Sequence, residues 1–201
     1  MKRSLHFLLL PIAALLLAAS PYRNDTPAAA SNFTLPGIDG KNYTLADYRG
    51  KYVVLEWVNF SCPFVKKHYG SGHMQQMQKQ FTGKDVVWLS ICSSAPGKEG
   101  YYEAAAASAA LKEREAAPTA YLLDPEGTVG KLYGARTTPH MFVIDPEGNI
   151  IYQGAIDDRR SADPADITGA TNYVEQALNE AMGGNPVSVA ATQPYGCAVK
   201  Y

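Results

Sequence analysis

The chain is predicted to fold as an α/β domain with a central mixed sheet flanked by helices. Two observations carry that prediction. From Phe33 onward, short apolar runs and helical patterns alternate at the spacing of strands and their connecting helices. The run Tyr52 to Val58 ends in the turn Asn59-Phe60-Ser61 and gives way at Cys62-Pro63 to a helix. Its 201 residues, 46% hydrophobic and 18% charged, suffice for one core and are too few for two comfortable domains. A formal net charge of −1 and the absence of a basic run leave no electrostatic footprint for nucleic acid and no polybasic membrane patch.

Residues 1–30 read as a signal peptide. Lys2 and Arg3 precede the apolar run Leu5 to Ala19, long enough for an export signal and short for a membrane span of about 20 residues. Cleavage after Ala30, with Ala28 before it, fits the small-x-small pattern better than cleavage after Ser20, which leaves Pro21 beyond the cut; an uncleaved anchor stays open. The expected location is periplasmic or secreted. Residues 31–184 form the expected domain and residues 185–201 a C-terminal tail. Three cysteines in an oxidising compartment suggest one bridge and one free thiol, and Cys62, Cys92 and Cys197 include no CxxC pair for zinc.

Phe33 to Pro36 and Tyr43 to Leu45 flank the turn Asp39-Gly40-Lys41, followed by a helical turn over Ala46 to Tyr48. The near-continuous apolar character of Tyr52 to Val58 predicts a central strand. Gly70-Ser71-Gly72 interrupts the helix begun at Pro63, and Met74, Met77 and Phe81 resume it with a core-facing stripe. Val86 to Ile91 is a strand ending at Cys92, Glu103 to Ala116 an alanine-rich helix, Ala120 to Leu123 a strand, and Val129 to Tyr133 a short helix. Met141 to Ile144 and Ile150 to Gly154 form a hairpin. Asp163-Pro164 caps a helix with Ile167, Ala170, Val174, Ala177, Leu178 and Ala181 inward, stopped by Gly183-Gly184.

Chemistry centres on Cys62. Proline is at home in the first turn of a helix, so Pro63 makes Cys62 the N-cap, where unpaired N–H groups and the helix dipole stabilise a thiolate. Lys66 and Lys67 add positive charge in the first turn. The alternative is a small buried hydrophobe. Glu56, in an otherwise apolar strand, is a candidate proton acceptor or a solvent-facing edge residue. Asn59 either donates toward the sulfur or caps the turn. Cys92 reads as a buried structural thiol, and Cys197, on a Pro/Gly-bearing tail, as a thiol with the reach to resolve an oxidised Cys62. Copper on Cys62, His68 and His140 suits the ligand types but matches no dense motif, so no metal and no cofactor are expected; His73 is expected at the surface.

Three separated segments resemble the thioredoxin-like superfamily, in particular its redoxin branch of alkyl hydroperoxide reductase/thiol-specific antioxidant and peroxiredoxin-like proteins. They are Phe33 to Lys41 with Leu45 to Lys51, Cys62-Pro63, and Thr137-Thr138-Pro139 ahead of Phe142 to Asp145. The resemblance implies a thioredoxin-like fold with an N-terminal redoxin-type extension, an antioxidant or cell-redox role, and a cis Pro139 facing Cys62. Thr138, Pro139, Pro63 and Lys66 would then border the substrate. Peroxiredoxin-type equipment is altered: Asn59 stands where a threonine is expected, Leu55 where a proline is, and the expected arginine falls near Pro139, with Arg136 close by. If Cys62 matches the second cysteine of a thioredoxin CxxC, Asn59 replaces the first, and if it matches the first, Val65 replaces the second. The sequence therefore points to an exported thiol-disulfide oxidoreductase or peroxiredoxin-like protein. Cys62 is its nucleophile, an unidentified thiol its electron donor, and a protein disulfide or peroxide its substrate. A redoxin-fold binding module for a partner protein or copper is the alternative.

Overall fold

The computed structural model describes residues 28–201. The first 27 residues of the expected signal peptide lie outside them, while Ala28 and Ala30 hydrogen-bond to Ile150 and Gly148 in the hairpin turn. The chain opens with the ribbon β1 (Thr34–Pro36) and β2 (Asn42–Thr44), closed by a 3-10 turn at Leu45–Tyr48. There follow β3 (Val53–Trp57), α1 (Pro63–Gly70), α2 (His73–Thr82), β4 (Val87–Cys92), α3 (Ala104–Glu113), β5 (Ala120–Leu123) and α4 (Thr128–Leu132). A two-residue strand β6 (Thr137–Thr138), the hairpin β7 (His140–Ile144) and β8 (Ile150–Gly154), helix α5 (Tyr173–Met182) and a second two-residue strand β9 (Cys197–Ala198) complete it.

The main sheet has the order β5-β4-β3-β7-β8, with β3, β4 and β5 parallel and β7 and β8 antiparallel to their neighbours. Because side chains alternate along a strand, β3 serves two cores. Val54 points with Val58 into a cluster holding Met74, Met77 and Phe81 of α2 and Val174 and Leu178 of α5. Val53, Leu55 and Trp57 face the opposite cluster, built from Phe33, Leu35, Leu45, Val129 and Phe142. This double burial explains the unbroken apolar run, and the Met/Phe stripe of α2 is core as expected. Truncating Leu55 or Phe81 to alanine in such packing costs about 2–5 kcal/mol.

Two expectations are corrected. The helix expected from Asp163-Pro164 onward is split: a 3-10 turn spans Pro164–Ile167, and α5 starts only after Asn172, whose side chain accepts from Glu175 N–H. Gly169, at φ +78°, breaks the run between them. The tail, whose reach was expected to carry Cys197 to the site, is laid along the domain. Thr192 N–H donates to Gln153 O at 3.0 Å, Ala95 N–H to Lys200 O at 2.8 Å, and Tyr201 OH to Ala135 O at 2.7 Å.

Candidate functional site

The end of β3 delivers Cys62 to the rim of the sheet. Cys62 N–H donates to Asn59 O at 3.0 Å to close the turn, and its extended backbone hands over to Pro63 at the start of α1. Beside it the Thr138-Pro139 peptide bond is cis. The Cys62 thiol donates to the Thr138 carbonyl oxygen at 3.0 Å. Strand β9 pairs antiparallel with β6, with Cys197 directly opposite Thr138. The fold thus brings together two cysteines from distant parts of the chain, both reduced.

Their acidities diverge. Burial pushes the Cys62 thiol up, but the side chain and N–H of Cys197, the Val65 N–H and the Thr138 side chain outweigh it, and the net direction is down. The Val65 N–H stands near the sulfur without meeting cap hydrogen-bond geometry, and the buried Thr138 hydroxyl has no other partner, so both are poised for a thiolate. Cys197 moves the other way, pushed up to about 11 by burial and by its bond and charge interaction with Cys62. Cys62 is therefore the more acidic thiol of the pair and Cys197 the less acidic. Exposure differs too: Cys62 is 2% exposed, Cys197 partly open.

The other sequence candidates separate into neighbours and supports. Glu56 is wholly buried, which removes the solvent-facing reading. Its carboxyl accepts from Trp88 Nε1 and Ser90 Oγ at 2.8 Å each, from Tyr69 OH at 2.9 Å and from Gln78 Nε2 at 3.3 Å. Burial raises its pKa against those four donors. Its hydrogen bonds run to these four side chains, and Cys62 is not among them. Asn59 is committed to the turn: Oδ1 accepts from Ser61 N–H at 2.8 Å and Nδ2 donates to Glu99 O at 3.1 Å. Lys66 is exposed at the surface of α1.

Lys67 is corrected. It was expected to favour the thiolate, but it lies buried on Asp157, 3.1 Å from Oδ2, and donates to Arg159 O at 2.9 Å. Tyr195 OH donates to the other Asp157 oxygen, tying the tail to that ion pair two residues before Cys197. Sequence reasoning missed Asp157 and Tyr195. Tyr195, a large aromatic among the small residues of the tail, was the available signal; Asp157, one of several acids after β8, gave none.

His68 and His73 face each other near this pair, with Nδ1 atoms 3.0 Å apart. His73 is half-buried instead of at the surface. His140 packs on Phe142 in the opposite core, and burial lowers its pKa to about 4. The copper reading is corrected accordingly: among the described residues no group of three or more His, Cys, Asp or Glu side chains is placed to hold a metal. Cys92 is buried, its thiol on Gly100 O at 3.3 Å. A small cavity lined by Asn32, Tyr48, Arg49 and Asp145 sits at the opposite end of β3 and takes no part in the site.

Comparison with known proteins bears on the fold. A hypothetical protein from Sinorhizobium meliloti superposes with a TM-score of 0.76 at 24% identity, covering 87% of this chain and 93% of its own. A putative thiol:disulfide interchange protein DsbE from Chlorobium tepidum is 26% identical, with a TM-score of 0.53 over 64% of this chain and 84% of its own. The exposed lipoprotein thioredoxin Etrx1 of Streptococcus pneumoniae is 28% identical, with a TM-score of 0.51 over 69% and 97%. Curated protein sequences give no match. The AhpC/TSA family model matches residues 27–153, so the chain, on its thioredoxin-like fold, belongs to the AhpC/TSA family.

Proposed function

We propose that the protein is a thiol-disulfide oxidoreductase in which Cys62 is the nucleophile and Cys197 resolves it. The supporting observation is the pairing of Thr138 with Cys197, which sets a protonated thiol against a sulfur whose acidity is enhanced. The Cys62 thiolate attacks one sulfur of a substrate disulfide, forming a mixed disulfide and releasing one thiolate. Cys197, losing its proton, attacks the Cys62 sulfur of that adduct, closes a Cys62–Cys197 disulfide and expels the second substrate thiol. With a peroxide, the thiolate instead takes an oxygen and becomes sulfenic acid, releasing water or alcohol; Cys197 then condenses with it and a second water leaves. Asn59 is held in the turn and aims no donor at the sulfur, which favours disulfide exchange over peroxide reduction. A donor thiol attacks the more open Cys197 sulfur and expels Cys62, the better leaving group, as thiolate; a second donor thiol then attacks the donor sulfur of the Cys197 mixed disulfide, so that the donor leaves as its disulfide and Cys197 as the free thiol. The charged start and apolar run of the N-terminus support an exported location.

Peptide mapping without reductant, after one equivalent of oxidised glutathione, tests the reading. A linked Cys62–Cys197 peptide is expected. Persistence of a glutathione adduct on Cys62 beside a free Cys197 would refute the resolving role, and an unmodified Cys62 would refute the nucleophile.

A further inference from the structure

We infer that the tail is a built-in substrate strand that reserves the Cys62 site for small disulfides and excludes extended peptides. This rests on the oxidoreductase reading and names the substrate class of the same site. Strand β6 is two residues long, and among the described residues its ladder partner is β9. Its register puts the residue opposite Thr138 against the Cys62 sulfur, so an extended chain pairing there would present one side chain to Cys62. The tail already does so, and the side chain presented is Cys197.

Three features hold this strand in place. Tyr195 is buried on Asp157 and packs on Phe64 with ring centroids 5.7 Å apart. Gly196 passes so close to β6 that a Cβ would lie 2.1 Å from the Thr138 carbonyl oxygen, and its φ of +142° disfavours any other residue. Beyond Cys197, Val199 N–H donates to Arg136 O at 3.1 Å. A peptide substrate must break this pairing before it reaches Cys62. A small disulfide does not need the β6 edge.

The test uses two probes with one leaving group, thionitrobenzoate, disulfide-linked either to cysteamine or to the cysteine of an unstructured octapeptide. Attack by the Cys62 thiolate forms the Cys62–probe disulfide and releases the coloured thiolate, so stopped-flow absorbance reads the rate. In Cys197→Ser the strand stays and its thiol is gone; adding Gly196→Val lifts the strand off β6 in the full-length chain. The expected result is a peptide-to-cysteamine rate ratio at least about tenfold higher in the double variant than in Cys197→Ser. A chain ending at Gly196 should behave as the double variant does, and circular dichroism establishes that each variant is folded. Equal ratios in the folded variants would overturn the inference while leaving the redox reading intact. A Cys62 inert to both probes in every variant would overturn the redox reading, and the inference with it.

Discussion

Replacing Glu56 by glutamine should flatten the pH dependence of stability. Burial raises the Glu56 pKa above its ordinary 4.5, so the folded state holds a proton that the unfolded chain has lost. The stabilisation is fully present below about 4.5 and is lost as pH rises toward the folded value, at about 1.4 kcal/mol per pH unit. Geometry accommodates the neutral acid. A proton on Oε1 can be donated to Tyr69 OH, 2.9 Å away, leaving Oε2 to accept from Trp88 and Ser90. In Glu56→Gln an amide N–H takes the place of that proton, so the cost at acidic pH should stay within about 1 kcal/mol. Urea titrations of the reduced proteins from pH 4 upward supply the assay. With a slope of about 2 kcal/mol per M, the midpoints of wild type and variant should converge and then cross at about 0.7 M per pH unit until Glu56 ionises in the fold. Parallel curves at every pH would refute the reasoning, because they require a carboxyl with the same proton occupancy folded and unfolded.

Two further outcomes test the site. Lys67→Met strands the Asp157 carboxylate in the interior and should cost about 3–5 kcal/mol in urea unfolding, with much of the loss recovered in Lys67→Met/Asp157→Asn; a loss below about 1 kcal/mol would show that the pair bears little on the fold. Cys197→Ala removes a side-chain donor to the Cys62 sulfur, so the midpoint of Cys62 alkylation against pH should move upward from its wild-type position. A midpoint that stays or falls would leave the acidity of Cys62 to the Val65 N–H at the helix start and the Thr138 side chain.

Much of this was legible in the sequence because it is locally encoded. The Cys62-Pro63 helix start needs only neighbouring residues, and the apolar run of β3 announces burial on both faces. The interrupted α1 and α2 follow from Gly70 and Gly72. Side chains whose partners come from afar were harder. Lys67 looks like any first-turn cation until β8 brings Asp157 beneath it, and Glu56 looks misplaced until Tyr69, Gln78, Trp88 and Ser90 converge on it. Cys197 was identified for its reach, yet it is held by pairing: no periodicity marks a two-residue strand whose ladder partner lies across the domain.

If Cys62 and Cys197 form the proposed bridge, the pairing of β6 with β9 also ties redox state to the strength of the whole fold. A bridge between residues about 135 positions apart restricts about two thirds of the unfolded chain, worth about 5 kcal/mol by loop-closure entropy, whereas a CxxC bridge restricts a few residues and is worth about 2. Oxidation would therefore lock the domain, and reduction would leave it measurably easier to unfold. In the proposed cycle each turnover would pass between a hard and a soft form, so resistance to proteolysis or heat would report the oxidation state without any chemical label.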